Sequence, residues 1–117
     1  MRTADQLTLD TVQVLEECGV FTRVLLKDGS TEVMTGKEPL AAVAYAGFET
    51  VNDNGVQVTQ HNLKIYVRLL SVGRADISPF HSAVNVLSAT RPISLSSSIQ
   101  TTDTRTMTFV IECGYRC

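Results

Sequence analysis

The sequence predicts an α+β domain in which two helices pack on one face of a mostly antiparallel β-sheet, in the order α-β-β-β-α-β-β. Three observations lead there. Apolar residues near the N-terminus recur at helical spacing, residues 62–72 and 104–115 alternate with the period of a strand, and a Ser-Pro pair opens a second helical stripe between those two segments. With 117 residues, 44% of them hydrophobic, the chain suits one domain over residues 1–117. A chain of this length buries roughly two thirds of its unfolded surface and needs no metal or disulfide staple.

The first helix rests on Ala4, Leu7, Thr11, Val14, Leu15 and Cys18, while Asp10, Gln13, Glu16 and Glu17 lie largely off that stripe. Thr3 followed by Gln6 makes a capping box, and Gly19 is a natural stop. Residues 20–27 are apolar and β-branched and end at Asp28-Gly29, a strand followed by a turn. Residues 30–38 are polar and read as a loop. The run from Leu40 to Phe48 opens after Pro39 and carries Gly47, so it reads as a buried strand whose small side chains admit a close helix. Asn52-Asp53-Asn54-Gly55 is a cluster of turn formers, and the loop is expected to span residues 51–61. In residues 62–72, Ile65, Val67 and Leu69 alternate with Lys64, Tyr66 and Arg68, and Gly73 closes the strand. Ser78 is expected as N-cap with Pro79 in the first turn, and Phe80, Ala83, Val84 and Leu87 form the stripe of a helix ending before Arg91-Pro92. Residues 93–99 and 104–115 read as two strands joined by a turn at residues 100–103. Met107, Phe109, Ile111 and Cys113 share one face of the last strand, opposite Thr106, Thr108 and Glu112.

Charge and composition exclude several function classes. Ten Lys+Arg against twelve Asp+Glu leave a net charge of −2, without the basic footprint of a nucleic-acid binder. The absence of Trp, with four Phe and three Tyr, argues against a base-stacking platform. The longest apolar run, at residues 40–48, is far short of the roughly twenty residues a membrane-spanning helix needs. The N-terminal Met1-Arg2-Thr3-Ala4-Asp5-Gln6 lacks the apolar core of a secretory signal and reads as mature cytosolic sequence. Three cysteines are an odd number, and Cys113 and Cys117 in an extended segment lie about 13 Å apart, too far to bridge, so reduced thiols are expected.

No nucleotide-binding glycine loop, nucleophile elbow or zinc-protease motif occurs. Cys18, His61 and His81 lack zinc spacing, so no metal, cofactor or catalytic residue is assigned. Cys18 and His81 as nucleophile and base is the enzyme reading, but Cys18 continues an apolar stripe, where a free cysteine acts as a small hydrophobe. Asp5, Asp10, Glu16 and Glu17 read as a solvated helix face, and Arg68 and Arg74 as positions flanking the central strand. Two features point to contacts with other molecules instead. The segments 30–38 and 51–61 are long for so small a domain, and Thr104, Thr106, Thr108 and Glu112 with Ser94, Ser96 and Ser98 form a broad polar strand surface suited to packing beside another subunit.

The layout carries a resemblance. An amphipathic N-terminal helix ends in Cys18-Gly19-Val20, and a strand and loop lead to Pro39-Leu40-Ala41-Ala42-Val43. A long central strand from Lys64, a Ser78-Pro79 helix and a hairpin ending Val110-Ile111-Glu112-Cys113-Gly114-Tyr115 follow. This order resembles the tail-terminator or tail-completion (neck) proteins of long-tailed bacteriophages. The resemblance implies a non-catalytic virion protein, made in the host cytoplasm, that forms a homohexameric ring. That ring would cap the tail tube, end its polymerisation and join the tail to head and neck connector proteins, with no membrane or sequence-specific nucleic-acid contact. The competing expectation is a small intracellular ligand-binding or regulatory domain, with a pocket between the alanine-rich strand and the helices.

Overall fold

A computed structural model describes residues 3–27, 39–70, 77–102 and 106–116. The expected loop at residues 30–38, together with Gly73, Arg74, Thr104 and Cys117, lies outside these residues. The chain forms an α+β fold of two helices and one five-stranded mixed sheet.

Helix α1 spans Ala4–Glu17. Its capping box is formed: the Gln6 amide N–H donates to Thr3 Oγ1, and the Thr3 amide donates to Gln6 Oε1, each at 3.1 Å. The buried face is Leu7, Thr8, Thr11 and Leu15. Both threonines are tolerated there because each hydroxyl donates to the carbonyl one turn back, Thr8 to Ala4 and Thr11 to Leu7, at 2.8 Å. Thr8 thus joins the buried face, although it lies outside the stripe expected from the sequence. Gly19, just past the helix, takes φ +76°, the left-handed conformation that stops a helix cheaply only at glycine.

Strand β1 is Arg23–Lys27, β2 is Leu40–Asp53, β3 is Val56–Leu70, α2 is Ser78–Ala89, β4 is Ser94–Thr102 and β5 is Thr106–Arg116. The sheet order is β1-β2-β3-β5-β4. The β2–β3, β3–β5 and β4–β5 pairs are antiparallel, but β1 lies parallel to β2, which makes the sheet mixed. Parallel neighbours need a connection of a dozen or so residues to bring the chain back to its starting end, and residues 28–39 supply that length.

Three expectations change. The polar segment after Asn54 is no loop: β3 begins at Val56, directly after a two-residue turn. Asn54 and Gly55 take φ +53° and +83°, the pair of positive values a tight type I′ hairpin requires. Polar composition misleads at residues 56–61 because both faces of the strand meet water there. Second, Ile77, not Ser78, is the N-cap of α2; Ser78 is already helical and Ile77 makes no side-chain cap bond. Third, residues 100–102 continue β4 through a bulge between Ile99 and Thr101 instead of turning.

The core lies where both helices meet the sheet. Leu7 and Leu15 of α1 and Ala83 and Leu87 of α2 join Ala41, Val43, Leu63, Ile65, Val67, Leu69, Phe109, Ile111, Cys113 and Tyr115 in one buried cluster. The helices share the sheet unequally, α1 over β1 and β2 and α2 against α1 and β5. Phe80 of α2 stacks on Phe109 at 4.4 Å between ring centroids and 20° between planes, anchoring α2 to β5. Thr90 Oγ1 and the Tyr115 hydroxyl, 2.7 Å apart, tie the end of α2 to the same strand.

Two outcomes are expected in urea unfolding. Thr3→Ala removes the cap and lowers stability by about 1 kcal/mol. A double-mutant cycle on Phe80→Leu and Phe109→Leu gives a coupling of about 1 kcal/mol if ring stacking anchors α2, and none if only apolar volume counts.

Candidate interaction surface

The β2–β3 hairpin outruns its neighbours. β1 covers β2 only from Leu40 to Ala44, and β5 covers β3 only from Leu70 back to Gln60. Residues 50–59 therefore form a two-stranded arm, about 13 Å long at the usual strand rise. The molecule measures 52 × 25 × 22 Å, and the hairpin carries the sheet well past the helices. Arg116, at the end of β5, braces the arm through an ion pair with Asp53. Among the described residues no helix or third strand covers it, which is unusual because an isolated two-stranded ribbon is marginal in water.

A bulge decides what the arm presents. Tyr45 faces Leu63 and Phe48 faces His61, so Ala46 and Gly47 together oppose one residue of β3. Gly47 adopts φ +98°. The extra residue flips the side-chain alternation of β2, so Tyr45 and Phe48 emerge on the same side as His61, and Glu49 turns to the other face with Gln60. His61, expected in a polar loop, stands within β3 at the base of the arm. Its Nδ1 lies 2.6 Å from the Tyr45 hydroxyl, and its ring meets Tyr45 and Phe48 at 5.7 and 6.5 Å. Phe48 remains 69% exposed, Leu26 48% and Tyr45 37%. Phe48 is thus a large apolar ring held in place by its neighbours and left in water, the kind of residue found at the centre of protein contacts.

Near the hairpin the opposite face of the sheet, which no described helix covers, is polar, whereas further along it Leu40, Ala42 and Val110 are buried. Glu49, Gln60, Asn62, Lys64, Ser96 and Glu112 line a shallow trough of about 340 Å³. Gln60 Nε2 donates to Asn62 Oδ1 at 3.0 Å and to Glu49 Oε1 at 3.3 Å, and Lys64 Nζ lies 3.8 Å from Glu112 Oε1. Beside it, Gly114 lets Ser94 and Gln60 close over the backbone of β5, since a Cβ there would come within 2.5 Å of Ser94 Oγ and 2.6 Å of Gln60 Nε2. Ser94, Ser96 and Ser98 register with Gly114, Glu112 and Val110, so the serine row and Glu112 do share this face, as the alternation predicts.

The remaining candidates stay apart. Cys18 caps α1, and its thiol donates to the Leu15 carbonyl at 3.0 Å. His81 is exposed on α2, and its ring packs beside Phe80 at 5.6 Å. Asp5, Asp10, Glu16 and Glu17 are exposed on α1, where Gln13 Nε2 donates to Glu17 Oε1 at 3.1 Å. Arg68 lies within β3, half-buried, rather than at its edge. Cys113 is 2% exposed, and burial pushes its thiol up from 9.0 to about 11 despite an opposing hydrogen bond with Tyr115. Among the described residues no group of three His, Cys, Asp or Glu side chains is placed to hold a metal ion. No described helix is long and apolar enough to cross a membrane. The sequence matches no protein-family model and no curated protein.

Two measurements check this geometry. Gly47→Ala adds no collision, because nothing lies within 4 Å of the new Cβ, yet it strains a positive φ. It should lower stability by roughly 1–2 kcal/mol, whereas a collision-free change at an ordinary φ would cost almost nothing. The raised Cys113 thiol favours the folded state fully below pH 9, and that contribution is lost as pH climbs through about 11. The displacement corresponds to about 2–3 kcal/mol, so wild type should lose that much more stability than Cys113→Ala between pH 8.5 and 11.5 in urea titrations.

Proposed function

We propose that this chain is a non-catalytic assembly subunit of a virion, resembling the tail terminators of long-tailed phages. It acts as a ring of identical copies that caps a tail tube and joins it to the neck. The observation that carries this reading is the braced two-stranded arm with Phe48 exposed at its base. A closed ring needs a heterologous contact, one surface meeting a different surface on the next copy until the rotation closes. A projecting arm offers one of the two unlike surfaces that such a ring requires. A hexamer is the ring size that the resemblance implies.

The net charge of −2 favours contacts made by shape and strand edges over contacts made by opposed charge fields. The alternative, a ligand-binding or regulatory domain, expects a pocket between the alanine-rich strand and the helices, where Ala41 and Val43 belong to the buried core; the described trough lies on the other face. That trough is open and polar and its side chains largely hydrogen-bond one another, whereas small-molecule sites are mostly apolar and enclose the ligand. The observations therefore favour a contact surface.

Sedimentation of the purified chain, alone and with purified phage tail tubes, tests the proposal. Wild type is expected to form a discrete closed oligomer visible as rings by electron microscopy, and Phe48→Asp to abolish it while leaving the melting temperature within a few degrees. A strict monomer at all concentrations, unchanged by tail tubes, would overturn it.

A further inference from the structure

We infer that β4 pairs edge to edge with β4 of a second copy of this chain, about a two-fold axis at Ser97. β4 is the outer strand of the sheet, with β5 on its inner side. Open edges are normally blunted by charge, proline or brevity. At the opposite edge, β1 is five residues long and begins and ends on Arg23 and Lys27. β4 has neither charge, proline nor brevity: it is nine residues, Ser94–Thr102, and among these devices only the bulge after Ile99 interrupts it. Ser94, Ser96, Ser97, Ser98 and Ile99 are all exposed.

The occupant follows from the strand's own sequence, which has the same pattern in both directions about Ser97: Leu95-Ser96-Ser97-Ser98-Ile99. Antiparallel pairing of Ser97 with Ser97 of the second copy places Leu95 opposite Ile99 and Ser96 opposite Ser98. Residues directly opposite in an antiparallel pair lie on the same face. Leu95 and Ile99 register with Cys113 and Phe109 and so point to the helix side, where Leu95 is partly buried against the core. Ile99 is 59% exposed in the single chain and would be covered by Leu95 of the second copy. Ser96 and Ser98 register with Glu112 and Val110 on the other face, where their hydroxyls meet hydroxyls across the axis. Such an axis stands perpendicular to the sheet and keeps the helices of both copies on one side. The outward backbone groups of β4 then gain partners other than water.

The matched stretch is short, because the bulge after Ile99 ends it, and an interface of this size belongs to the weak, concentration-dependent class. The contact is isologous and closes at two copies, so it neither builds a ring nor depends on the arm.

Analytical ultracentrifugation of the full chain at rising concentration tests the register. Wild type is expected to associate, and Ser97→Lys and Ser97→Glu alone each to need about tenfold more protein, since each sets like charges face to face. Mixed in equal amounts, the two variants should associate at least as well as wild type, because opposite charges now meet across the axis. Variants that associate like wild type, or a mixture no better than either variant alone, would overturn the pairing. The same series is repeated with Phe48→Asp present throughout. The charge pattern is expected to persist there, and its disappearance would assign the association to the arm and refute the β4 contact.

Discussion

The register of the β2–β3 hairpin is the constraint on which the rest of the structure depends. β3 is the strand both other partners lean on, β2 on one side and β5 on the other, and its Leu63, Ile65 and Val67 are completely buried. A slip of one residue against β2 would turn the matching face of β2 away from the helices, because side chains alternate strictly. Two local features hold the register: the Asn54-Gly55 turn, which accepts only positive φ, and the bulge at Ala46-Gly47, which inserts one residue where the covered sheet gives way to the arm. Upstream of the bulge, Ala41 and Val43 face the helices opposite Val67 and Ile65. Downstream of it, Phe48 joins Tyr45 and His61 on the same side. The core and the exposed aromatic patch are therefore two readings of one strand, separated by a change of phase.

That arrangement places the chemistry of this chain on its surfaces. The side chains with reactive potential are dispersed: the Cys18 thiol donates to the Leu15 carbonyl, His81 stands in solvent, and Cys113 is buried, which pushes its thiol up. What is concentrated instead is contact area of two different kinds, an apolar ring cluster at the base of the arm and an uncharged serine-rich edge on the far side of the sheet. They suit different symmetries. A projecting arm meets an unlike surface and propagates, whereas a strand with a symmetric sequence meets itself and stops. An uncharged edge of this length is otherwise open to indiscriminate strand addition, which the proposed pairing would prevent.

The helices and the core-facing residues of the central strands were legible in the sequence for a simple reason. Burial on one side and water on the other leave a periodic record, and the capping box of Thr3 and Gln6, the stripe of Leu7, Thr11 and Leu15 and the alternation of Ile65, Val67 and Leu69 are such records. The arm was not legible. Residues 56–61 read as loop because a ribbon with both faces wet leaves little apolar alternation, and only the β-branched Val56, Val58 and Thr59 hinted at a strand. The bulge was hidden as well, since Gly47 in an apolar run fits a strand with a close neighbour as readily as a phase change.

By itself, then, the sequence determined the kinds of element and their order along the chain, because capping, turn chemistry and periodic burial are local and act within a few residues. The tertiary structure alone decided the parallel placement of β1 beside β2, the length of hairpin left uncovered, and which side chains that hairpin presents. Those outcomes depend on where neighbouring strands end: β1 at Lys27 and β5 at Arg116 set the limits of the covered sheet, and no local pattern in residues 45–61 records the reach of strands so distant in the chain.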